Sequence, residues 1–225
     1  MSIVKNFWKN DWGFLWLLGF TLLAIVITQF SGGAAAWMEL LLVRFSLFLF
    51  TVVVIASSVL SLSQKRIGYL VAGALMLLAF ILTRFSNQAL IIMYGTLMAL
   101  YVIVILVLLV KQIFDGGKMT VQKIGGGVAA YILVGHLWAS LYLTIYNVNP
   151  SAFMNGGELI RPGEALRQLS YYSFVTLTTI GYGDIIPMAP FSRTLAIFEG
   201  LIGQLFPAIF IAKLVSLNIQ DARKD

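Results

Sequence analysis

In the run Thr178-Thr179-Ile180-Gly181-Tyr182-Gly183-Asp184, it is the backbone more than any side chain that could do chemistry. A cation gives up its water when a ring of oxygens replaces it at little cost, and backbone carbonyls arranged around an axis supply such a ring. Successive carbonyls point one way only if the chain visits conformations that glycine tolerates best. Gly181 and Gly183 stand at alternate positions, which suits that demand. Thr179 adds a hydroxyl oxygen at the inner end. Tyr182 is too bulky to enter a narrow passage, so its ring is expected to pack outward and brace the backbone. Asp184 places a negative charge at the outer mouth. The run is too short and too interrupted by glycine to be a spanning helix, and it lies between long apolar segments. Irregular backbone at membrane depth survives only where it is buried in protein or lines water. The run therefore reads as a filter for a dehydrated cation, held by the rest of the chain.

The element that must aim this run precedes it. Glu164–Leu177 has the length of a half-membrane helix, and its carboxyl end, with its partial negative charge, points toward the filter and favours a cation. Pro162, Gly163 and Glu164 make a reasonable start, with the acid in the first turn. Tyr171 and Tyr172 are expected to form part of an aromatic cuff around the filter.

The surrounding chain is built for lipid. Of 225 residues 60% are hydrophobic and 11% charged, whereas a soluble domain is about half apolar and about a quarter charged. Without cysteine, disulfides, thiolate metal sites and cysteine catalysis are excluded. The net charge of +6 does not point to nucleic acid, because the charges sit mostly at the ends of apolar runs and form no basic face. A spanning helix takes roughly 20 apolar residues. Six segments qualify, at about Trp12–Phe30, Met38–Leu60, Ile67–Thr83, Ala89–Val110, Gly125–Tyr146 and Arg193–Val215. The first is not read as a cleaved signal peptide, because no small-residue cleavage pattern follows it; Trp8, Trp12 and Trp16 read as interfacial anchors.

With the amino terminus inside, the cytoplasmic side receives Lys5, Lys9, Lys65, Arg66, Lys111, Lys118, Lys123, Lys213, Arg223 and Lys224. The other side receives Arg84, Arg161, Arg167 and Arg193, and Arg44 lies within the second span. Ten positive charges against four put both termini in the cytoplasm and open the re-entrant stretch to the outside. The expected class is an all-α multi-pass protein of the cell membrane, with six transmembrane helices and a re-entrant helix and filter loop between the fifth and sixth.

Residues 1–111 read as a unit of four closely joined helices, 112–124 as a cytoplasmic linker, 125–218 as the pore-forming unit and 219–225 as a short tail. Arg44 and Glu39 are read as lying near the outer surface, with Arg44 snorkelling or paired. Ala89–Val110 carries no Arg or Lys before its end, which argues against steep voltage dependence. Gly125-Gly126-Gly127 serves either close helix approach or a flexible entry. His136, with no second His or carboxylate at ligand spacing, reads as a partner in an interhelical hydrogen bond. No nucleotide loop, paired-His motif or serine nucleophile elbow occurs, so no enzyme chemistry and no cofactor are expected.

Ser173-Phe174-Val175-Thr176-Leu177 followed by the opening run resembles the pore motif of the tetrameric potassium channels, with Ile180 in place of that family's Val. The resemblance covers about Gly125–Asn218. It implies that the carbonyls of Thr179, Ile180, Gly181 and Tyr182, with the Thr179 hydroxyl, bind potassium, that Gly183 completes the filter and that Thr178 supports it. One filter copy per chain implies a homotetramer in the lipid bilayer. Some members carry a carboxylate behind the filter where this chain has Val175; Glu199, about two turns into the last span, is the alternative supporting acid. Gly203 falls at the family's hinge position, and Pro207 removes a backbone hydrogen bond four residues on. Phe206, Phe210 and Leu214 either form a hydrophobic constriction below the bend or pack on the fifth helix. About ten residues follow Val215, too few for a cytoplasmic ligand-binding domain on that stretch. Passive, potassium-selective conduction is the expectation; the alternatives are a weakly selective cation channel and a subunit of a potassium transporter.

Overall fold

The computed structural model describes residues 13–30, 52, 62–82, 88–114 and 121–222. Except for Val52, the expected span Met38–Leu60 lies outside these residues, as do Glu39, Arg44, Trp8 and Trp12. Among the described residues six long α-helical segments follow in order: α1 (Gly13–Phe30), α2 (Leu62–Leu82), α3 (Gln88–Phe114), α4 (Val121–Val148), α5 (Ala165–Leu177) and α6 (Pro190–Ala222). Among the described residues two stretches are long and apolar enough to cross a membrane, Lys123–Val148 and Pro190–Ser216, and Gly95–Lys111 is a shorter apolar helix. This is a largely helical membrane protein.

The all-α expectation needs one correction. The segment after α4 folds into a three-stranded antiparallel sheet of order β2-β1-β3, with β1 at Phe153–Asn155, β2 at Glu158–Leu159 and β3 at Ile185–Pro187. Gly156 and Gly157, at φ 55° and 85°, form the two-residue turn between β1 and β2. Positive φ at both positions is the turn whose twist matches antiparallel strands, and glycine adopts it without penalty. On its other edge β1 pairs with the strand that follows the filter run, Asn155 facing Ile185 and Phe153 facing Pro187. Polar loop residues and short strands left no helical or long alternating signal here, so the sheet was not anticipated.

Helix α4 is the spine. Val102, Ile105, Leu109 and Ile113 on α3 recur at helical spacing and bury against Ala129, Ala130 and Leu133 of α4. Gly95 lets the two helices cross closely, since a Cβ there would lie 2.3 Å from Thr144 Oγ1. Helix α1 also packs on α4 and reaches α5, where Gln29 Nε2 donates to the Arg167 carbonyl across 3.4 Å. Among the described residues α1 and α3 thus pack on α4, while α2 packs on α3. Helix α3 runs on to Phe114 and α4 begins at Val121.

A second core joins α4 to the short helix and the sheet. Val134, Trp138, Tyr142 and Tyr146 line one face of α4 and meet Phe153, Leu169, Tyr172 and Leu177. Pro190 occupies the first turn of α6, where its missing N–H costs nothing. Ser192 Oγ ties that start to the Ala152 carbonyl across 3.1 Å.

Candidate functional site

A turn of 3-10 helix, Pro162–Glu164, leads into α5, which ends at Leu177 and delivers the chain into Thr178–Asp184. A helix leaves its last carbonyls without intrahelical donors. Here the loop itself turns back onto them. Thr178 N–H and Thr178 Oγ1 donate to the Phe174 carbonyl at 3.0 and 2.6 Å. Thr179 N–H donates to Thr176, and Ile180 N–H and Gly181 N–H converge on the Val175 carbonyl at 3.0 and 3.3 Å. Val175, which stands where an acid could have stood, contributes its backbone instead.

Beyond Leu177 the sign of φ alternates. Thr179, Gly181 and Gly183 have φ of 60°, 61° and 76°, while Ile180 and Tyr182 between them are not in the positive region. Thr179 is the only non-glycine with positive φ among the described residues. A β-branched residue in that conformation is an outlier costing about 1–3 kcal/mol, tolerated only where the surroundings impose it. Nothing lies within 4 Å of the Cβ positions of Gly181 and Gly183, so glycine is needed there for conformation and not for space.

The outer end of the run is held by the sheet. Gly156 N–H donates to the Asp184 carbonyl across 2.9 Å. The Tyr171 ring stacks on Tyr182, with centroids 6.5 Å apart and planes 6° from parallel. Tyr172 does not share that role within the chain. Successive helix positions point about 100° apart, and Tyr172 turns back to meet Tyr142 at 5.1 Å and Phe153 at 5.6 Å. The Thr178, Thr179, Ile180, Gly181, Tyr182, Gly183 and Asp184 positions all lie on the surface of the single chain; Tyr182 is 69% exposed and Ile180 55%.

Behind α5 sits Glu199, fully buried on α6. Ser173 Oγ donates to one carboxylate oxygen and the Tyr142 hydroxyl to the other, each across 2.6 Å. One acid thereby joins α4, α5 and α6. Gly203 lies one turn further along, pressed against the end of α5: a Cβ there would come 1.8 Å from the Leu177 carbonyl oxygen. Helix α6 continues through Gly203 and Pro207 to Ala222, so Gly203 is required for close packing whatever it contributes to bending.

The chain gives specific contacts to residues of two open readings. Phe206 and Phe210 pack on the α3–α4 core; Phe210 meets Phe114 edge-on at 6.0 Å, and a Cβ on Gly127 would lie 1.9 Å from its ring. Gly127 is thus a close-approach residue. The His136 expectation is corrected: its Nδ1 pairs within its own helix with the Ile132 carbonyl at 3.0 Å, and its contact with α5 is an edge-on ring contact with Phe174 at 5.4 Å. Among the described residues no group of three or more His, Cys, Asp or Glu is placed to hold a metal.

Tyr131, Tyr142 and Ser173 were not singled out from sequence. The available signal was weak but physical: a tyrosine in the middle of an apolar helix brings a hydroxyl that needs a partner, and Pro207 leaves a carbonyl that needs a donor.

Residues 131–220 match the family described as "Ion channel". The chain is 30% identical over 111 residues to the rice (Oryza sativa subsp. japonica) protein named "Two pore potassium channel b", covering 49% of this chain and 28% of the relative. It is 36% identical over 76 residues to "Inward rectifier potassium channel Kirbac3.1" of Paramagnetospirillum magnetotacticum, covering 32% and 25% respectively. The chain thus spans about a quarter of the length of the curated relatives it matches. No solved structure matches it.

Proposed function

We propose that this chain, whose residues 131–220 match the "Ion channel" family and which is similar over part of its length to curated potassium channels, is one subunit of a homotetrameric pore conducting potassium passively down its gradient. The observation that carries the reading is the alternation of φ along Thr179–Gly183 at the carboxyl end of α5. Alternating backbone hand brings successive carbonyls to one side of a strand, as a carbonyl-lined filter needs. The carbonyls of Thr179, Ile180, Gly181 and Tyr182, with the Thr179 hydroxyl, are the potassium ligands in this reading.

One chain supplies one wall of such a passage. The exposure of Ile180 and Tyr182, and of Ile197, Leu201, Leu205 and Ile209 along α6, leaves an apolar surface for neighbouring copies. Four copies around one axis would cover it and close the ring. In that assembly α5 is the re-entrant pore helix and α6 the inner helix, Asp184 and the small sheet lie at the outer mouth, and both termini are cytoplasmic. Tyr171 and the sheet brace the filter's outer end, and Glu199 fixes α5 from behind.

Flux from purified protein in liposomes under opposed potassium and sodium gradients tests this. Uptake of potassium without sodium, ATP or a coupled ion is expected. Equal permeability to both ions would leave a non-selective cation channel, and a requirement for ATP or a coupled ion would overturn the channel reading.

A further inference from the structure

The last carbonyl of α5 and one carbonyl of α6 converge on a single hydroxyl. The loop's own N–H groups serve Phe174, Val175 and Thr176. The donor that reaches the Leu177 carbonyl is the Tyr131 hydroxyl of α4, at 3.0 Å. On α6, Pro207 has no N–H to give the carbonyl four residues before it, which is that of Gly203. The same Tyr131 hydroxyl lies 3.4 Å from the Gly203 carbonyl. Leu177 and Gly203 are themselves in contact, because Gly203 has no side chain to hold them apart.

A phenolic hydroxyl has one hydrogen to donate. Two acceptors therefore share it, and both are carbonyls at the end of a helical hydrogen-bond ladder or at a break in one. The Tyr131 ring packs on Phe206, in the same turn of α6, 5.6 Å away, so a bend within Gly203–Pro207 that tilts the Gly203 carbonyl changes its distance from the Tyr131 hydroxyl. More of the hydrogen then goes to Leu177 when Gly203 moves off, and less when it approaches.

We infer that Tyr131 is a positioning residue whose shared hydroxyl couples the bend of α6 at Gly203–Pro207 to the inner end of the filter. The inference rests on the channel reading above and assigns that channel a specific link between its inner helix and its filter. Neither acceptor is a side chain, so the link survives changes at neighbouring side chains and depends on the hydroxyl alone.

The test is a double-mutant cycle on the full chain, recorded as single channels in planar bilayers with potassium on both sides. Tyr131→Phe keeps the ring and removes the donor. Mean open time is expected to change about fivefold, the factor one neutral hydrogen bond carries, with the potassium-to-sodium permeability ratio unchanged. Pro207→Ala restores an N–H to the Gly203 carbonyl and takes that acceptor out of competition. In this background Tyr131→Phe is expected to change open time by less than about twofold. A merely structural tyrosine would give the same factor in both backgrounds, and that additivity would overturn the proposal. So would failure of Tyr131→Phe to assemble, because the hydroxyl would then serve folding and not coupling. A wild-type protein that passes no potassium would instead remove the channel reading, and the inference with it.

Discussion

Ser173 on α5 donates its hydroxyl hydrogen to the Glu199 carboxylate on α6 across 2.6 Å, at a point where neither side chain has access to solvent. The Tyr142 hydroxyl fills the carboxylate's other oxygen. A buried polar group left without a partner costs about 1–3 kcal/mol, so this node resists any change that removes one member alone.

Glu199→Ala strands the Tyr142 hydroxyl, while Ser173 Oγ keeps the Gly135 carbonyl, 2.8 Å away, as an acceptor. Its expected cost is about 1–3 kcal/mol in the stability of the assembled protein, since one buried donor loses its acceptor. Glu199→Gln keeps the shape and an acceptor oxygen and should cost less than half as much. Melting of the detergent-solubilised assembly measures both; equal losses would mean that the carboxylate's volume matters and its hydrogen bonds do not.

Gly203→Ala drives a methyl group into the Leu177 carbonyl, and backbone cannot yield as a flexible side chain can. A loss of about 3 kcal/mol is expected from this overpacking, seen as reduced assembly before any change in gating. Gly73→Ala on α2, where nothing lies within 4 Å, is the control. It should be neutral or stabilising by up to about 1 kcal/mol from helix propensity.

Phe210→Ala separates packing from gating. With its ring on Phe114, Phe206 and Gly127, truncation should cost about 2–3 kcal/mol of stability and leave the closed-state leak unchanged. Gly127→Ala should be destabilising alone and substantially rescued when Phe210→Ala makes room. Liposome leak and melting temperature together check the pair; a large leak with unchanged melting would return Phe210 to the pore.

Gly181→Ala meets no steric obstacle in the chain, yet its φ of 61° penalises any L side chain. A cost of about 1–2 kcal/mol is small against the stability of a membrane assembly but falls on the filter's geometry. Inserted, assembled protein with potassium flux lost is the expected outcome. Retained selective flux would mean that ions pass elsewhere.

Most of what a backbone can announce was readable in the chain order. The apolar runs located α1, α2, α3, α4 and α6, with ends up to seven residues short of the helices observed, because burying or lipid-facing such stretches favours helix as the way to pair their backbone groups. Glu164–Leu177 came out as Ala165–Leu177 with a leading 3-10 turn. The sheet was not readable, since its strands of three, two and three residues are held by pairing across the filter run and not by any local pattern.

The sequence by itself determined the character of Thr178–Asp184. Alternate glycines, a leading pair of threonines and a terminal acid are local properties, and the positive φ values at Gly181 and Gly183 follow from what those residues tolerate. Only the tertiary structure decided which groups hold that run in place. Tyr171 faces it while the adjacent Tyr172 joins the core, and Glu199 finds Tyr142 and Ser173, 57 and 26 residues away. Tyr131 reaches Gly203 across 72 residues. Such pairings depend on which face each helix turns inward and how closely small residues let helices approach. Those are properties of packed elements, and no single stretch of chain contains them.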